Sequence, residues 1–484
     1  MVGLARPQPR RTPVGQEPHR DRSHFVSDRK HFDLVVIGSG SGNSIADERF
    51  SDMKIALFEE HSPFGGTCLN VGCIPTKMFV YAAEVAQTIR DSARYGIDAS
   101  IDKVRWEDIV DRVFGRIDPI SEGGKHYREN GSPNVTLYSS HATFVGPRTI
   151  DTGTGEIITA DQIVVAAGSR PIIPQQVRDS GVPYHTNDDI MRLPTLPKHL
   201  VILGSGYIAA EFAHVFGALG SEVSIIARKD NLLRGLDPDI SDRFTELAQK
   251  YWDVHLNVGE STAISEDGQV GVQLRDGDKV LGDALLVAIG RESNGDRIGA
   301  EAGGIELDDG RIVVDEFGRT SAEGVFAIGD VSSPFQLKHV ANHEGRVVQH
   351  NLLQRTWDDT AKFQAFDHRF VPAAVFTHPQ IAAVGMTELE AHKAGLEITV
   401  KIQNYGDVAY GWAMEDREGF VKIIAEKKTG RILGAHIIGD QAPTVIQPLI
   451  QAMSFGLTAP EMARGQYWIH PGLPEVVENA LLGL

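Results

Sequence analysis

Apolar positions come in short unbroken runs separated by glycine-rich turns. Leu34-Val35-Val36-Ile37 completes a strand predicted over 33–37, Ser44 to Phe50 follows as a predicted helix, and Lys54 to Phe58 as a second strand. The same succession of strand, turn, helix and strand returns with Val201-Ile202-Leu203, a helix leading to Gly220, and Val223 to Ala227. Between the two units, Met78 to Ala86 carries good helix formers, and residues 100–135 are predicted mostly helical. Val135 to Val145 is strand-like, and Ile163 to Gly168 closes the first unit. Leu285 to Ile289 is a further apolar run ending in Gly290, and Thr320 to Asp330 reads TSAEGVFAIGD. From about Phe366 the pattern changes to short strands, Ala373 to Phe376, Phe420 to Ala425 and Leu433 to Ile438, with no third glycine fingerprint. The pattern predicts an α/β fold with two Rossmann-like dinucleotide-binding domains and a C-terminal α+β domain.

Composition sets bounds on this picture. A chain of 484 residues calls for several domains, and 42% hydrophobic with 23% charged residues is ordinary for a soluble globular protein. The 50 glycines suit loops that approach phosphates closely. A net charge of −18 argues against nucleic acid or an anionic membrane as the main partner. No apolar run reaches the roughly 18–20 residues of a membrane span. Arg10-Arg11 is followed by no apolar segment, and residues 1–30, rich in Arg, Pro and His, are expected to be a disordered tail. Without a signal peptide, the expected location is the cytoplasm.

The glycine turns carry the first chemistry. Gly38-Ser39-Gly40-Ser41-Gly42-Asn43 lies between a strand and a predicted helix, the context that makes a dinucleotide fingerprint credible. Gly38 makes the turn, Gly40 admits a pyrophosphate, and the helix N-terminus is expected to bind it. The third position is Asn43, with Gly42 one residue early, which puts close helix–strand packing in question. Glu59, about 20 residues past the first glycine, suits ribose hydroxyls, with Glu60 as the alternative. The second fingerprint is Gly204-Ser205-Gly206-Tyr207-Ile208-Ala209. No carboxylate ends its second strand. Arg228, Lys229 and Arg234 follow, with Asp230 among them, and favour the 2′-phosphate of NADPH over the free hydroxyl of NADH.

Both cysteines lie in Gly65-Gly66-Thr67-Cys68-Leu69-Asn70-Val71-Gly72-Cys73-Ile74-Pro75-Thr76-Lys77. Two are too few for a disulfide framework or a zinc site, so no metal is expected. They fit a dithiol that is oxidised and reduced in turnover. Five helical steps leave two side chains about 140° apart, so a bridge needs irregular backbone, which Gly65, Gly66 and Gly72 allow. Pro75 suits a first helical turn, where a thiol pKa falls.

The pattern GGTCxNxGCxPxK resembles the redox centre of the flavin-dependent pyridine nucleotide disulfide oxidoreductases, and the resemblance runs from about His31 to Leu484. It implies FAD and NADPH as cofactors. Residues 31–168 and 295–365 would form the two parts of an FAD-binding domain, 169–294 an NADPH-binding domain inserted between them, and 366–484 the interface of a homodimer. It places FAD against Gly38, Gly40, Gly42, Glu59, Gly66, Thr67 and Cys68, with Lys77 near the flavin N5. Ala142 would meet the adenine and Asp330 the ribityl chain, with Gly168 and the helix opening at Lys338 nearby. NADPH would meet Gly204, Gly206, Ile208, Arg228, Arg234 and Gly290, with Tyr207 as a gate over the nicotinamide and Glu211 paired to Lys77. Cys73 would face the flavin, and Cys68 would exchange with the substrate. His470, oriented by Glu475, would act as acid–base group in the partner subunit's site. Within the family, Gly38 to Arg49, Cys68 to Glu84, Asn404 to Asp416 and Tyr467 to Leu484 are most similar to the branch that reduces mycothiol disulfide. That resemblance implies mycothione as the small-molecule substrate.

Overall fold

The structure, a computed structural model, describes residues 29–484. The tail expected over 1–30 lies outside the described residues except at its end, where Lys30 already opens the first strand.

A seven-stranded sheet forms around the first apolar run. Its strands β1 (Lys30–Ile37), β2 (Ile55–Phe58), β3 (Val135–Tyr138), β4 (Thr143–Gly146), β5 (Thr149–Asp151) and β6 (Ile157–Val165) lie in the order β3-β2-β1-β6-β5-β4. β1 is flanked by parallel neighbours, and its Leu34, Val35 and Val36 are wholly buried, as an unbroken apolar strand requires. Val325–Ala327 pairs parallel with the end of β6, from Val325↔Ile163 to Ala327↔Val165. A late segment therefore completes the first sheet. A separate parallel sheet, ordered Asp253–His255, Glu222–Ile226, His199–Leu203, Ala284–Val287, lies between these segments in sequence. Two antiparallel crossing strands, Ser169–Pro171 and Arg291–Ser293, lie where the chain leaves and returns. The C-terminal part is a five-stranded antiparallel sheet in the order Pro372–Val375, Ile381–Gly385, Ile432–Ile438, Phe420–Glu426, Ile398–Asn404.

Helices α1 (Gly66–Asn70), α2 (Cys73–Asp91) and α3 (Trp106–His126) follow β2. Phe79 of α2 and Trp106 of α3 pack with Phe216 from helix Tyr207–Leu219 in one aromatic cluster, with centroids 5.3 and 5.4 Å apart. Full burial of such side chains contributes roughly 1.5–3 kcal/mol each. This cluster fixes the second nucleotide unit against the redox helix.

Two expected elements differ. Val135 to Val145 is not one strand: β3 and β4 lie at opposite edges of the sheet, and the chain crosses between them at residues 139–142. Ser44 to Phe50 is not an α-helix but two 3₁₀ turns, Gly42–Ser44 and Glu48–Phe50, separated by extended Asp47 (φ −101°, ψ −172°). Side chains from elsewhere satisfy the carbonyls that helical N–H groups would have met. Arg128 donates to Asn43 O, and Gln349 donates to Ser44 O and Ile45 O. Gly42, not residue 43, supplies the close packing: a Cβ there would stand 2.9 Å from Ala166 Cβ and 3.0 Å from Val36 Cγ1.

Candidate functional site

Gly65 and Gly66 adopt φ of 114° and 74°, and a Cβ on Gly66 would lie 2.5 Å from Gly40 Cα. The redox segment therefore meets the first glycine loop backbone to backbone. Asn70 donates to the carbonyls of Pro63, Phe64 and Gly66 and locks α1. The helix breaks at Val71 and Gly72, and Cys73 restarts it as the first residue of α2. This break overcomes the angular separation that a continuous helix would impose on the two sulfurs. Cys68 and Cys73 are free thiols, and the two share a hydrogen bond. That bond pulls Cys68 down to about 7 against the effect of burial, aided by the Lys338 charge and the N–H groups of Cys73 and Ile74. The same bond pushes Cys73 up, so Cys68 is the more acidic thiol of the pair.

A cavity of about 1240 Å³ runs from the first glycine loop past both sulfurs to the second nucleotide unit. Gly38, Gly40, Glu59, Gly66, Thr67, Cys68, Cys73, Lys77, Ala142, Gly168, Asp330 and Lys338 line it, joined by Tyr207, Ile208 and Glu211. Gly42, Gly204, Gly206, Arg228, Arg234, Gly290, His470 and Glu475 do not. Glu59 accepts from Ser39 N (3.1 Å) and Ser39 Oγ, facing the glycine turn, whereas Glu60 is 2.7 Å from His141 Nδ1. Asp330 accepts from Ser169 Oγ at 2.6 Å, and Lys338 donates to Ser41 Oγ at 2.9 Å.

The expected Lys77–Glu211 pair is not formed. Lys77 Nζ lies 3.1 Å from Glu84 Oε1 and over the Phe376 ring, while Glu211 accepts from Phe376 N at 3.0 Å. Burial pushes Glu211 up to about 7, so its charged form gains too little to hold the lysine.

Gly204 repeats the role of Gly38. A Cβ on either would stand 2.2 Å from a carbonyl oxygen, that of Ala288 or Ala166. Arg228 is exposed just past strand Glu222–Ile226, and Arg234 lies 3.7 Å from Asp230. His470 Nδ1 is 2.6 Å from Glu475 Oε1, and this contact holds the Glu475 carboxyl below its usual range. The His470 side chain is 70% exposed and does not line its own chain's cavity.

Three residues in or beside the cavity carry no sequence signal of their own. Arg291 donates to Ser169 Oγ and Ser169 O and to Asn187 Oδ1, and Asn187 donates to Val71 O at 2.9 Å, tying the crossing strands to the redox segment. Glu344 is buried, accepts from Gly329 N at 2.7 Å beside Asp330, and is pushed up to about 7 by burial.

The family model described as pyridine nucleotide-disulphide oxidoreductase matches residues 32–345, and that family's dimerisation domain matches residues 371–481. The chain belongs to the pyridine nucleotide-disulphide oxidoreductase family. Family membership brings a flavin and a pyridine nucleotide to this architecture, and the dimerisation domain brings a homodimer. A mycothione reductase of Mycobacterium tuberculosis is 60% identical over 459 residues, covering 94% of this chain and 99% of that protein. A glutathione reductase of Burkholderia cepacia is 32% identical over 92% of this chain and 97% of its own. Among solved structures, the HOCl-induced flavoprotein disulfide reductase of Escherichia coli superposes with a TM-score of 0.81 at 26% identity, over 93% of this chain and 99% of that one. Among the described residues of this oxidoreductase, no helix is long and apolar enough to cross a membrane.

Proposed function

We propose that the protein is an NADPH-dependent flavoenzyme, a homodimer that reduces mycothione to mycothiol through Cys68 and Cys73. One juxtaposition carries the reading: a thiol pair across the break between α1 and α2, in one cavity with the first glycine loop and Asp330. The 60% identity to a mycothione reductase over nearly the whole of both chains supports the substrate.

The residues fit the cofactors. The Gly66–Gly40 contact and the positive φ of Gly38 leave room only for backbone around the loop, so its N–H groups can meet a diphosphate. Glu59 would take the FAD ribose, Ala142 the adenine, and Asp330 the ribityl chain, with Gly66, Thr67, Gly168 and Lys338 around them. Gly204, Gly206 and Ile208 would hold NADPH, with Arg228 and Arg234 on its 2′-phosphate and Tyr207 over the nicotinamide. Bound FAD would supply the two-electron chemistry that links NADPH to the Cys68–Cys73 disulfide.

Cys68, as thiolate, attacks one sulfur of mycothione. A mixed disulfide forms and one mycothiol leaves, protonated by the partner subunit's His470. Cys73 then attacks Cys68, re-forms the internal bridge and releases the second mycothiol. Glu475 fixes the imidazole tautomer through Nδ1 and leaves Nε2 to carry the proton.

The test is NADPH oxidation by the purified protein with mycothione, glutathione disulfide and lipoamide. Turnover with mycothione is expected to dominate. Turnover with lipoamide alone would overturn the substrate, and none with any disulfide would overturn the reading.

A further inference from the structure

The first glycine loop lacks the element that ordinarily gives such a loop its positive end. A diphosphate-binding turn usually leads into an α-helix whose first N–H groups and dipole favour the anion. Here a three-residue 3₁₀ turn, Gly42–Ser44, follows, and Asp47 is extended.

A buried guanidinium takes the place of the helical N–H that would have met Asn43 O. Arg128 Nη2 donates to Asn43 O at 2.7 Å, and Arg128 Nε donates to Asn43 Oδ1 at 2.7 Å. The guanidinium thus grips residue 43 by main chain and side chain together, through two different nitrogens of its fork. Arg128 is 8% exposed, and its third contact is Ser132 Oγ at 3.4 Å. Among the described residues it has no carboxylate partner. Asp47 is engaged by Arg49 through both carboxylate oxygens. Burial pulls the Arg128 pKa down, opposed by Tyr127 and by the Asp47 carboxylate, which acts from a distance without bonding to it. A widened π turn, Tyr127–Gly131, at the end of α3 places it there. Such turns are rare and concentrate at functional positions. A buried guanidinium without a bonded anion is costly, and although Arg128 and Asn43 do not line the cavity, Ser41, two residues before Asn43, does, where a diphosphate would lie. Asn43, the departure from the fingerprint, is the residue through which Arg128 reaches the loop.

We propose that Arg128 is a positioning residue for the FAD diphosphate, holding the loop through Asn43 and supplying the positive charge that the absent helix would have given. The inference rests on the reading that this loop binds FAD.

Full-length Arg128→Gln keeps a donor for Asn43 and removes the charge, whereas Arg128→Lys keeps the charge. Each is stripped of flavin and titrated with ADP and with adenosine, and FAD release from each holoenzyme is timed. Arg128→Gln is expected to weaken ADP about tenfold and to speed FAD release similarly, with adenosine unchanged. Arg128→Lys, which keeps the charge but loses the two-point hold on Asn43, is expected to bind ADP less tightly than the parent and more tightly than Arg128→Gln, with adenosine unchanged. Equal losses for ADP and adenosine would show a merely structural role and overturn the proposal, as would an unchanged ADP affinity. Should Arg128→Gln not fold, Arg128→Lys decides alone: equal losses for ADP and adenosine, or no loss for ADP, overturn it. A parent chain that takes up neither FAD nor ADP would instead overturn the functional reading.

Discussion

At the scale of single residues, the two thiols divide the labour through their hydrogen bond. Cys68 titrates at about 7, so the reduced enzyme is expected to alkylate with a midpoint near that pH. Cys68→Ser should abolish this reactivity, and Cys68→Ser or Cys73→Ser should each lower disulfide turnover about a thousandfold or more. Glu344 makes a second, independent prediction. Its pKa is raised to about 7 from the usual 4.5 by burial, with Asp330 acting in the same direction and Gly329 N and Ser333 opposing. His368, at 3.0 Å, also faces it. Between about pH 4.5 and 7 the native state keeps a proton that the unfolded chain releases, so this group's contribution falls as pH rises through that window. Glu344→Gln retains an acceptor for Gly329 N without the charge. It is therefore expected to gain about 1–3 kcal/mol over the parent on going from pH 5 to pH 8, read by denaturant unfolding at both. At the second fingerprint, Arg228→Ala with Arg234→Ala is expected to raise the KM for NADPH about tenfold or more while moving that for NADH little.

At the scale of elements, what the sequence shows depends on where the determining contacts lie. The strands of both nucleotide units were legible because burial on both faces demands unbroken apolar runs, and the redox helix because Gly72 and Pro75 mark its head. The glycines were legible for a steric reason: Gly38 and Gly204 meet a carbonyl where no Cβ fits. Gly66→Ala, with φ of +74° and Gly40 Cα at 2.5 Å, is expected to cost about 2–4 kcal/mol and to release flavin, read by absorbance after gel filtration. The missing helix after Gly42 was not legible. Its sequence is compatible with a helix, and the groups that replace its hydrogen bonds, Arg128 and Gln349, come from 85 and 305 residues away. The break between β3 and β4 was hidden likewise, because strand propensity continues across residues at which the chain changes edges. Lys77 shows the same limit for charges. Glu84, seven residues on and two turns along the same helical face, outcompetes a Glu211 whose charge burial has disfavoured.

At the scale of the whole molecule, His470 and Glu475 do not line the cavity that holds Cys68 and Cys73. His470 is exposed, as are its neighbours Tyr467 and Ile469 and the more distant Phe455, an apolar surface within the segment matched by the family's dimerisation domain. A two-fold dimer makes the same contact twice, so a histidine carried across the interface serves the thiols of the other chain in both directions. This arrangement has a consequence that a self-contained active site lacks. Cys68→Ser chains alone and His470→Gln chains alone should each be nearly inactive. A mixed dimer places the intact Cys68 of one chain opposite the intact His470 of the other, giving one complete site and one lacking both groups. Random pairing of equal amounts makes half the dimers mixed, so activity should recover to about a quarter of that of the parent. The recovery is measured as mycothione-dependent NADPH oxidation after co-expression with two different affinity tags. No recovery in the doubly purified mixed dimer would show that each chain completes its own site, and the exposed position of His470 would then require a different explanation.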